Sequence, residues 1–300
     1  MKSNKILVII VTYNAMKWAE KCFSSLRNSS VTSDVIVVDN GSTDGSQEYI
    51  HEHFPEVELI ENKENHGFGR ANNIGLRKAL EDKYEYAYLL NQDAWVLPNT
   101  FEELIAVSEK HPEYGVLSPM QLKADGKHFE DRFGRNVISR RQSFSPYFID
   151  DMYFQRVGDI YEVSFVMASH WLIPFKCLLT VGGFSPTFPH YGEDDNYLNR
   201  TNYWKYKIGI VPTAQAIHDR GDSYWSHEKD LYVNDFIGTL VSCSNPLDRK
   251  SLGNKAFLLL KRGIRNRETS LIKYAFRLWR KNKIVETNYK RSLQETAFLL

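Results

Sequence analysis

Through the first hundred residues, short blocks of Val, Ile and Leu alternate with longer stretches of helical periodicity. Ile6–Thr12 and Val35–Asp39 are dense in Val and Ile, the composition of strands buried on both faces, and each is followed by a helical pattern. Trp18, Cys22 and Leu26 recur every fourth residue and mark the inner face of the first helix. Further strands are predicted over Val57–Glu61 and Tyr86–Leu90, with a helix through Ala71, Leu76, Ala79 and Leu80 between them. Glu102–Lys110 is again helical and Gly115–Ser118 extended. This βαβαβ series predicts an α/β fold: a mostly parallel, Rossmann-like sheet with flanking helices and right-handed crossovers. In such sheets ligands bind beyond the carboxyl ends of the strands. Polar residues gather there: Thr12, Tyr13 and Asn14 after the first strand, Asp39-Asn40-Gly41-Ser42 after the second, Asn65-His66-Gly67 after the third and Asn91-Gln92-Asp93 after the fourth. Each group is also ordinary turn and cap chemistry; their convergence on one rim is what points to a ligand.

Periodicity is lost over residues 119–160, which carry Arg132, Arg135, Arg140, Arg141, Phe144, Tyr147, Phe148, Tyr153 and Phe154. A loop of that kind suits either an acceptor-side insertion or a local aromatic mini-core. Helical spacing returns after Glu193-Asp194-Asp195, through Tyr197, Leu198 and Tyr203. Three acids in a first turn oppose the positive end of the helix dipole, as plain capping also does.

Composition narrows the classes. The 300 residues are 42% hydrophobic and 25% charged, which excludes disorder for most of the chain. A chain of this size buries roughly 75% of its unfolded surface and needs no disulfide or structural metal to hold a core. The three cysteines, Cys22, Cys177 and Cys243, are odd in number and far apart, which favours a reducing compartment. No run of 18 apolar residues exists and the apolar opening is too short for a signal segment, so a cytoplasmic protein is expected.

The overall charge of +1 conceals an asymmetry. Residues 249–300 hold 14 Lys and Arg against Glu268, Glu286 and Glu295, a balance of +11, leaving −10 for residues 1–248. Within this tail Leu271, Ala275, Leu278 and Trp279 recur at helical spacing, with Lys273, Arg277, Arg280 and Lys281 on other faces. Such a basic amphipathic helix fits an anionic membrane surface, or else packs its apolar stripe on the main domain or a second subunit. Nucleic acid is disfavoured as a partner because no base-reading motif accompanies the charge. A dinucleotide fold is disfavoured too, since Thr12 to Trp18 contains no glycine and Gly67-Phe68-Gly69 follows the wrong strand.

The motifs taken in order resemble a known family. Val11-Thr12-Tyr13-Asn14, Val38-Asp39-Asn40-Gly41-Ser42-Thr43-Asp44-Gly45-Ser46, Asn65-His66-Gly67-Phe68-Gly69-Arg70-Ala71-Asn72-Asn73, Leu90-Asn91-Gln92-Asp93, Gly182-Gly183-Phe184, Tyr191-Gly192-Glu193-Asp194-Asp195 and Ile217-His218 are similar to family 2 glycosyltransferases of the GT-A fold, and within them to the bacterial rhamnosyltransferase-like branch. The resemblance spans about residues 6–225. It implies an inverting hexosyl transfer from a nucleotide-diphosphate sugar, UDP- or dTDP-linked, to a glycan or lipid-linked acceptor hydroxyl in surface polysaccharide biosynthesis, at the inner face of the cell membrane. The alternative is a non-catalytic nucleotide-sugar-binding or scaffold protein on the same fold, suggested by the loss of one carboxylate from the metal motif.

By that resemblance Asp39 selects the imide N–H of a pyrimidine, its other possible role being to cap the turn before Asp44. Thr12 and Asn14 hold the other base edge, and Asn65, Gly67 and Arg70 approach the diphosphate. The family's DxD-like motif is reduced to Asn91-Gln92-Asp93: Asp93 and His218 are the metal ligands for Mn²⁺ or Mg²⁺, and Asn91 offers an amide oxygen or holds the ribose. Asp194 is the catalytic base beside Glu193. Where the family often has a further acid this chain has Asn196. His170 and Trp171 are candidate acceptor contacts or packing residues. The expected organisation is a GT-A domain over 1–248, with a nucleotide-binding half 1–118 and an acceptor half 119–248, followed by the basic helical tail 249–300.

Overall fold

A computed structural model describes residues 5–135, 147–220 and 227–299. Arg140, Arg141 and Phe144 lie outside the described residues. The first half runs β1 (Ile6–Thr12), α1 (Ala19–Arg27), β2 (Asp34–Asp39), α2 (Ser46–His53), β3 (Glu58–Glu61), α3 (Phe68–Glu81) and β4 (Tyr86–Asn91). It continues through β5 (Ala94–Val96), α4 (Thr100–Lys110), β6 (Tyr114–Leu122), α5 (Asp131–Phe133), α6 (Phe148–Tyr153), β7 (Tyr161–Glu162), β8 (His170–Pro174), α7 (Phe175–Val181), α8 (Glu193–Tyr203) and β9 (Lys207–His218). Three helices follow: α9 (His227–Ser244), α10 (Leu252–Asn266) and α11 (Thr269–Ser292).

One sheet of nine strands runs through both halves in the order β3-β2-β1-β4-β8-β6-β9-β5, with β7 also paired to β9. β3, β2, β1 and β4 are mutually parallel, as the βαβαβ pattern predicts. β8 then enters antiparallel between β4 and β6. It sets residues 170–174 against β4 and links it to β6, so the strands form one continuous ladder, and the expected boundary at 118 falls within β6.

β1 explains the two-layer core. Its alternate residues separate cleanly: Ile6, Val8 and Ile10 pack with Cys22, Phe23 and Leu26 of α1 and Phe101 and Leu104 of α4. Leu7 and Ile9 pack on the other face with Leu76 and Ala79 of α3 and with Trp171, Phe184 and Tyr197. An all-apolar strand is stable here because both faces are covered, each buried aliphatic side chain contributing about 1.5–3 kcal/mol.

The basic tail is docked on the body. Tyr274, Leu278 and Val285 of α11 bury against Phe236 and Leu240 of α9, with Phe188 in the same cluster. Beyond α11 the chain returns to the first half. Gly183 N–H donates to Ala297 O at 2.8 Å, Arg77 Nε to Leu299 O at 2.7 Å, and Leu299 enters the main core. Ala275 and Leu278 of the predicted stripe are buried and Leu271 half-buried, whereas Trp279 faces solvent. All three cysteines are buried free thiols.

Candidate active site

A cavity of about 990 Å³ opens where the two halves meet. Asn91 and Phe68 line it from the first half; Ser169, Glu193, Asp194, Asp195, Arg132, Arg135, Arg220 and Ile237 are among its walls from the second.

The acidic wall begins at a helix start fixed by backbone geometry. Gly192 precedes α8 at φ 85°, and a Cβ there would meet Ile237 Cγ2 of α9 at 2.8 Å. Asp194 Oδ2 accepts from Ala168 N–H at 3.1 Å, which fixes the carboxylate beside the strand next to β4. Burial raises the Asp194 carboxyl above the usual carboxylate range, and the charge of Asp195 adds to this; the Ala168 N–H and Arg220 offset only part of it. Glu193 is raised as well, by burial and then by Asp194, and its Oε2 has no hydrogen-bond partner. An aspartate of raised pKa that reaches the cavity is suited to taking a proton near neutral pH.

Asp93 and His218 lie outside the cavity lining, where β5 pairs with the end of β9 so that Ala94 is in register with His218. His218 Nε2 stands 3.4 Å from Asp93 Oδ1. That is longer than a strong hydrogen bond and close to the separation of two neighbouring ligands each ~2.1 Å from one ion. His218 Nδ1 and Asn91 Oδ1 are both buried without a partner. Burial raises the Asp93 carboxyl, but His218 and then Arg220 outweigh this and hold it below the usual range, so it is ionised at neutral pH. An ionised carboxylate beside an imidazole is a donor pair whose chemistry fits a hard or borderline divalent ion that takes its remaining ligands from substrate and water. No group of three or more His, Cys, Asp or Glu side chains converges among the described residues.

The rim residues divide. Asp39 is fully buried and saturated: Oδ1 accepts from Gly41 N, Ser42 N and Gln47 Nε2, and Oδ2 from Thr12 Oγ1 and Ser42 Oγ. Burial alone would raise its carboxyl; the bonds from Ser42, Gln47 and Thr12 together hold it low. Its observed work is to organise the loop ends of β1 and β2. A nucleobase N–H would reach it by displacing the Gln47 amide or the Ser42 hydroxyl. Asn14, at φ 52°, accepts from Thr43 N and donates its own N–H to Ser42 Oγ. Asn65 Oδ1 accepts from Gly67 N at 2.8 Å, and Gly67, at φ 80°, passes so close to Pro189 O that a Cβ would stand 2.3 Å from it. Arg70 is exposed on the first turn of α3, outside the cavity lining.

For two candidate acceptor contacts the structure shows the packing alternative instead. His170 is wholly buried in β8, with Nδ1 at 2.8 Å from Tyr88 Oη and Nε2 at 2.9 Å from Ile217 O. Burial pushes its pKa down to about 3, so it is a neutral core histidine. Trp171 stacks on Phe184 and packs against Tyr197, also fully buried. Neither reaches the cavity; their neighbours Ala168 and Ser169 do.

Two residues carry positioning roles that the sequence reading did not assign: Arg200 has no local motif, and Asn73 closes the Asn65–Asn73 motif. Asn73 clamps the Gly182-Gly183-Phe184 turn reciprocally, accepting from Phe184 N at 2.6 Å and donating to Phe184 O at 2.9 Å. Arg200 of α8 is fully buried, donates to Val181 O at 2.8 Å and to Gly183 O, and lies over the Tyr197 ring. Together they fix α8, and so Asp194, to α3.

The sheet order, the polar rim and a cavity with paired acids on one wall define the class: a GT-A-fold sugar transferase using a nucleotide donor. The glycosyl transferase family 2 model matches residues 7–173, and the chain belongs to that family. It is 24% identical over 252 residues to the N-acetylglucosaminyl-diphospho-decaprenol L-rhamnosyltransferase of Mycobacterium tuberculosis, covering 75% of this chain and 82% of that one. It is 22% identical over 258 residues to the low-salt glycan biosynthesis hexosyltransferase Agl10 of Haloferax volcanii, covering 81% and 78%. In fold it is similar to GalNAc-T7 solved with UDP, GalNAc and Mn²⁺, with a TM-score of 0.60 at 16% identity, covering 81% of this chain and 50% of that one.

Proposed function

We propose that this protein is an inverting, divalent-metal-dependent hexosyltransferase that moves a sugar from a UDP- or dTDP-linked donor to a hydroxyl of a glycan or lipid-linked acceptor in surface polysaccharide assembly. Its place is the cytoplasm, at the inner face of the cell membrane. The observation that carries this reading is Asp194: a desolvated carboxylate fixed by Ala168 N–H and reaching the same cavity as Asn91.

The donor lies along the rim from Asp39 and Asn14 toward Gly67, its diphosphate end near Asn91. Asp93, His218 and the Asn91 amide oxygen would hold Mn²⁺ or Mg²⁺, whose contribution is to stabilise charge on the leaving diphosphate. The acceptor hydroxyl binds on the Asp194 side. As its oxygen forms the bond to the anomeric carbon, the bond from that carbon to the phosphate oxygen breaks with its electron pair, and the hydroxyl proton passes to Asp194. Attack from the face opposite the leaving group inverts the anomeric centre. Arg132, Arg135 and Arg220 give the cavity a cationic wall that suits a phosphate-bearing acceptor or the departing diphosphate. A scaffold would have no use for two desolvated acids beside these groups.

The test is product analysis by NMR with UDP- and dTDP-sugars and a lipid-diphosphate acceptor, with Mn²⁺ or with chelator. Inverted product formed only with metal supports the reading. Retained configuration, or undiminished turnover in chelator, overturns it.

A further inference from the structure

The docked tail presents a second surface. α10 and α11 form an antiparallel hairpin: Gly263 meets Ile272 near the turn, and Gly253 meets Asn282 further along. At about 100° per residue, Phe257, Lys261 and Ile264 fall on one stripe of α10 at spacings of four and three. Ile272, Phe276, Trp279 and Lys283 fall on one stripe of α11 in the same way. The buried residues fix where these stripes point. On α10, Leu252 and Ala256 face the body, and Gly253 faces α11; the Phe257 stripe lies further round in the same sense. On α11, Tyr274 and Leu278 face α9, Ala275 and Asn282 lie toward α10, and the Trp279 stripe lies beyond them. Because the helices run in opposite directions, both stripes emerge on one side of the hairpin, turned away from α9.

That face is apolar and exposed. Phe257 is 48% exposed, Ile264 62%, Phe276 51% and Trp279 53%. Lys261 reaches over the Phe257 ring at 4.5 Å, and Lys273, Arg265 and Arg280 flank the stripes. Of the three glutamates of residues 249–300, only Glu286 continues the α11 stripe, three residues after Lys283, and its charge is met by Arg249; Glu268 sits at the turn accepting from Asn266, and Glu295 follows α11. A second copy of the chain is a poor occupant, because pairing this face with itself would bring two +11 segments together. No helix among the described residues is long and apolar enough to cross a membrane.

We propose that this face of the α10–α11 hairpin lies flat on anionic phospholipid, its aromatic side chains in the headgroup boundary and its lysines and arginines on the lipid phosphates. The link to function rests on the reading that the acceptor is lipid-linked; the binding itself does not. α9 stands between the hairpin and the cavity, for Ile237 lines the cavity while Phe236 packs on Tyr274 and under Arg277 of α11. At 8–10 Å per packed helix the cavity stands on the order of 20 Å from the lipid plane. That height suits a hydroxyl carried on a phosphate-linked headgroup.

The test is co-flotation of the full chain with vesicles of phosphatidylglycerol and phosphatidylcholine, or of phosphatidylcholine alone, at low and high salt. Binding to the anionic vesicles that weakens with salt is expected. Lys261→Gln with Lys283→Gln should lower partitioning on the order of 30-fold, at about fivefold per basic residue. Phe257→Ser with Phe276→Ser and Trp279→Ser should lower it at least about tenfold, with an unchanged melting temperature showing that the fold is intact. Full binding by both variants, or no preference for anionic vesicles, overturns the proposal. So does a dimer in sedimentation equilibrium that the aromatic variant abolishes, since a second copy would then cover the face. Flotation needs no substrate, so failure of the transferase reading would appear as absent product with lipid binding intact.

Discussion

Replacing Asp194 by Asn separates catalysis from architecture. The amide oxygen of Asn can accept the Ala168 N–H that Asp194 Oδ2 accepts at 3.1 Å, so the local geometry survives. What is lost structurally is the difference between a charge-assisted and a neutral hydrogen bond, about 1 kcal/mol. The loss of a general base is larger, roughly 10²–10⁴ in turnover or about 3–5 kcal/mol of barrier. Donor affinity should therefore be retained while kcat falls by at least about 10². The pH profile identifies the group. Burial raises the Asp194 carboxyl, so the acidic limb of kcat/KM in the wild type should lie well above the range of an ordinary aspartate and vanish in Asp194→Asn. Initial rates with a fixed acceptor from pH 4.5 to 9, with nucleotide-diphosphate affinity measured by calorimetry, decide it. Near wild-type turnover in Asp194→Asn, or an acidic limb that persists there and disappears in Glu193→Gln, would refute the assignment.

Mn²⁺ and the nucleotide diphosphate should each tighten the other's binding by the same factor, and calorimetry should find that mutual gain reduced in Asp93→Ala and less so in His218→Ala. Arg200→Met leaves the Val181 and Gly183 carbonyls without their donor and should cost about 3 kcal/mol, read as a lowered denaturant midpoint at constant slope. Asp194 and Glu193 have folded pKa values above their unfolded ones, so their ionisation opposes folding above the folded values and not below the unfolded ones. Glu193→Gln should accordingly raise the melting temperature at pH 8, with the gain shrinking toward pH 4; an equal gain at both would refute the sign.

What was legible in the sequence was local. β1 and β2 announce themselves because strands buried on both faces must be apolar at every position, and the rim motifs follow them within a few residues. The acidic start of α8 was legible as a helix N-terminus, while the choice of Asp194 among its three acids came from the family resemblance alone. What the sequence left open shares a cause. His170 looks like a site residue because its sequence cannot reveal that Tyr88, 82 residues earlier, and Ile217, 47 residues later, satisfy both ring nitrogens. For Asp39 the sequence leaves base contact and turn capping both open, and only the fold shows the five donated bonds from β1, the following loop and α2. Arg200 carries no local signature, since its carbonyl partners belong to a turn 17 and 19 residues upstream. The antiparallel entry of β8 depends on which strand edge remains open once the parallel set is built. The tail's charge was readable, but which stripe is buried depended on α9 and Phe188.

Arg77 and Leu299, joined by one hydrogen bond, are separated by 222 residues. At synthesis rates of about 5–20 residues per second, α3 waits roughly 10–45 s before that partner exists. Meanwhile the Gly182-Gly183-Phe184 turn lacks the Ala297 carbonyl, and the main core lacks Leu299. A nascent chain can therefore assemble its parallel strands early yet cannot close the seam beneath α8 until residues 297–299 arrive. Chains that stop short of Ala297 are left with an open edge under α7, an opening that proteases can use.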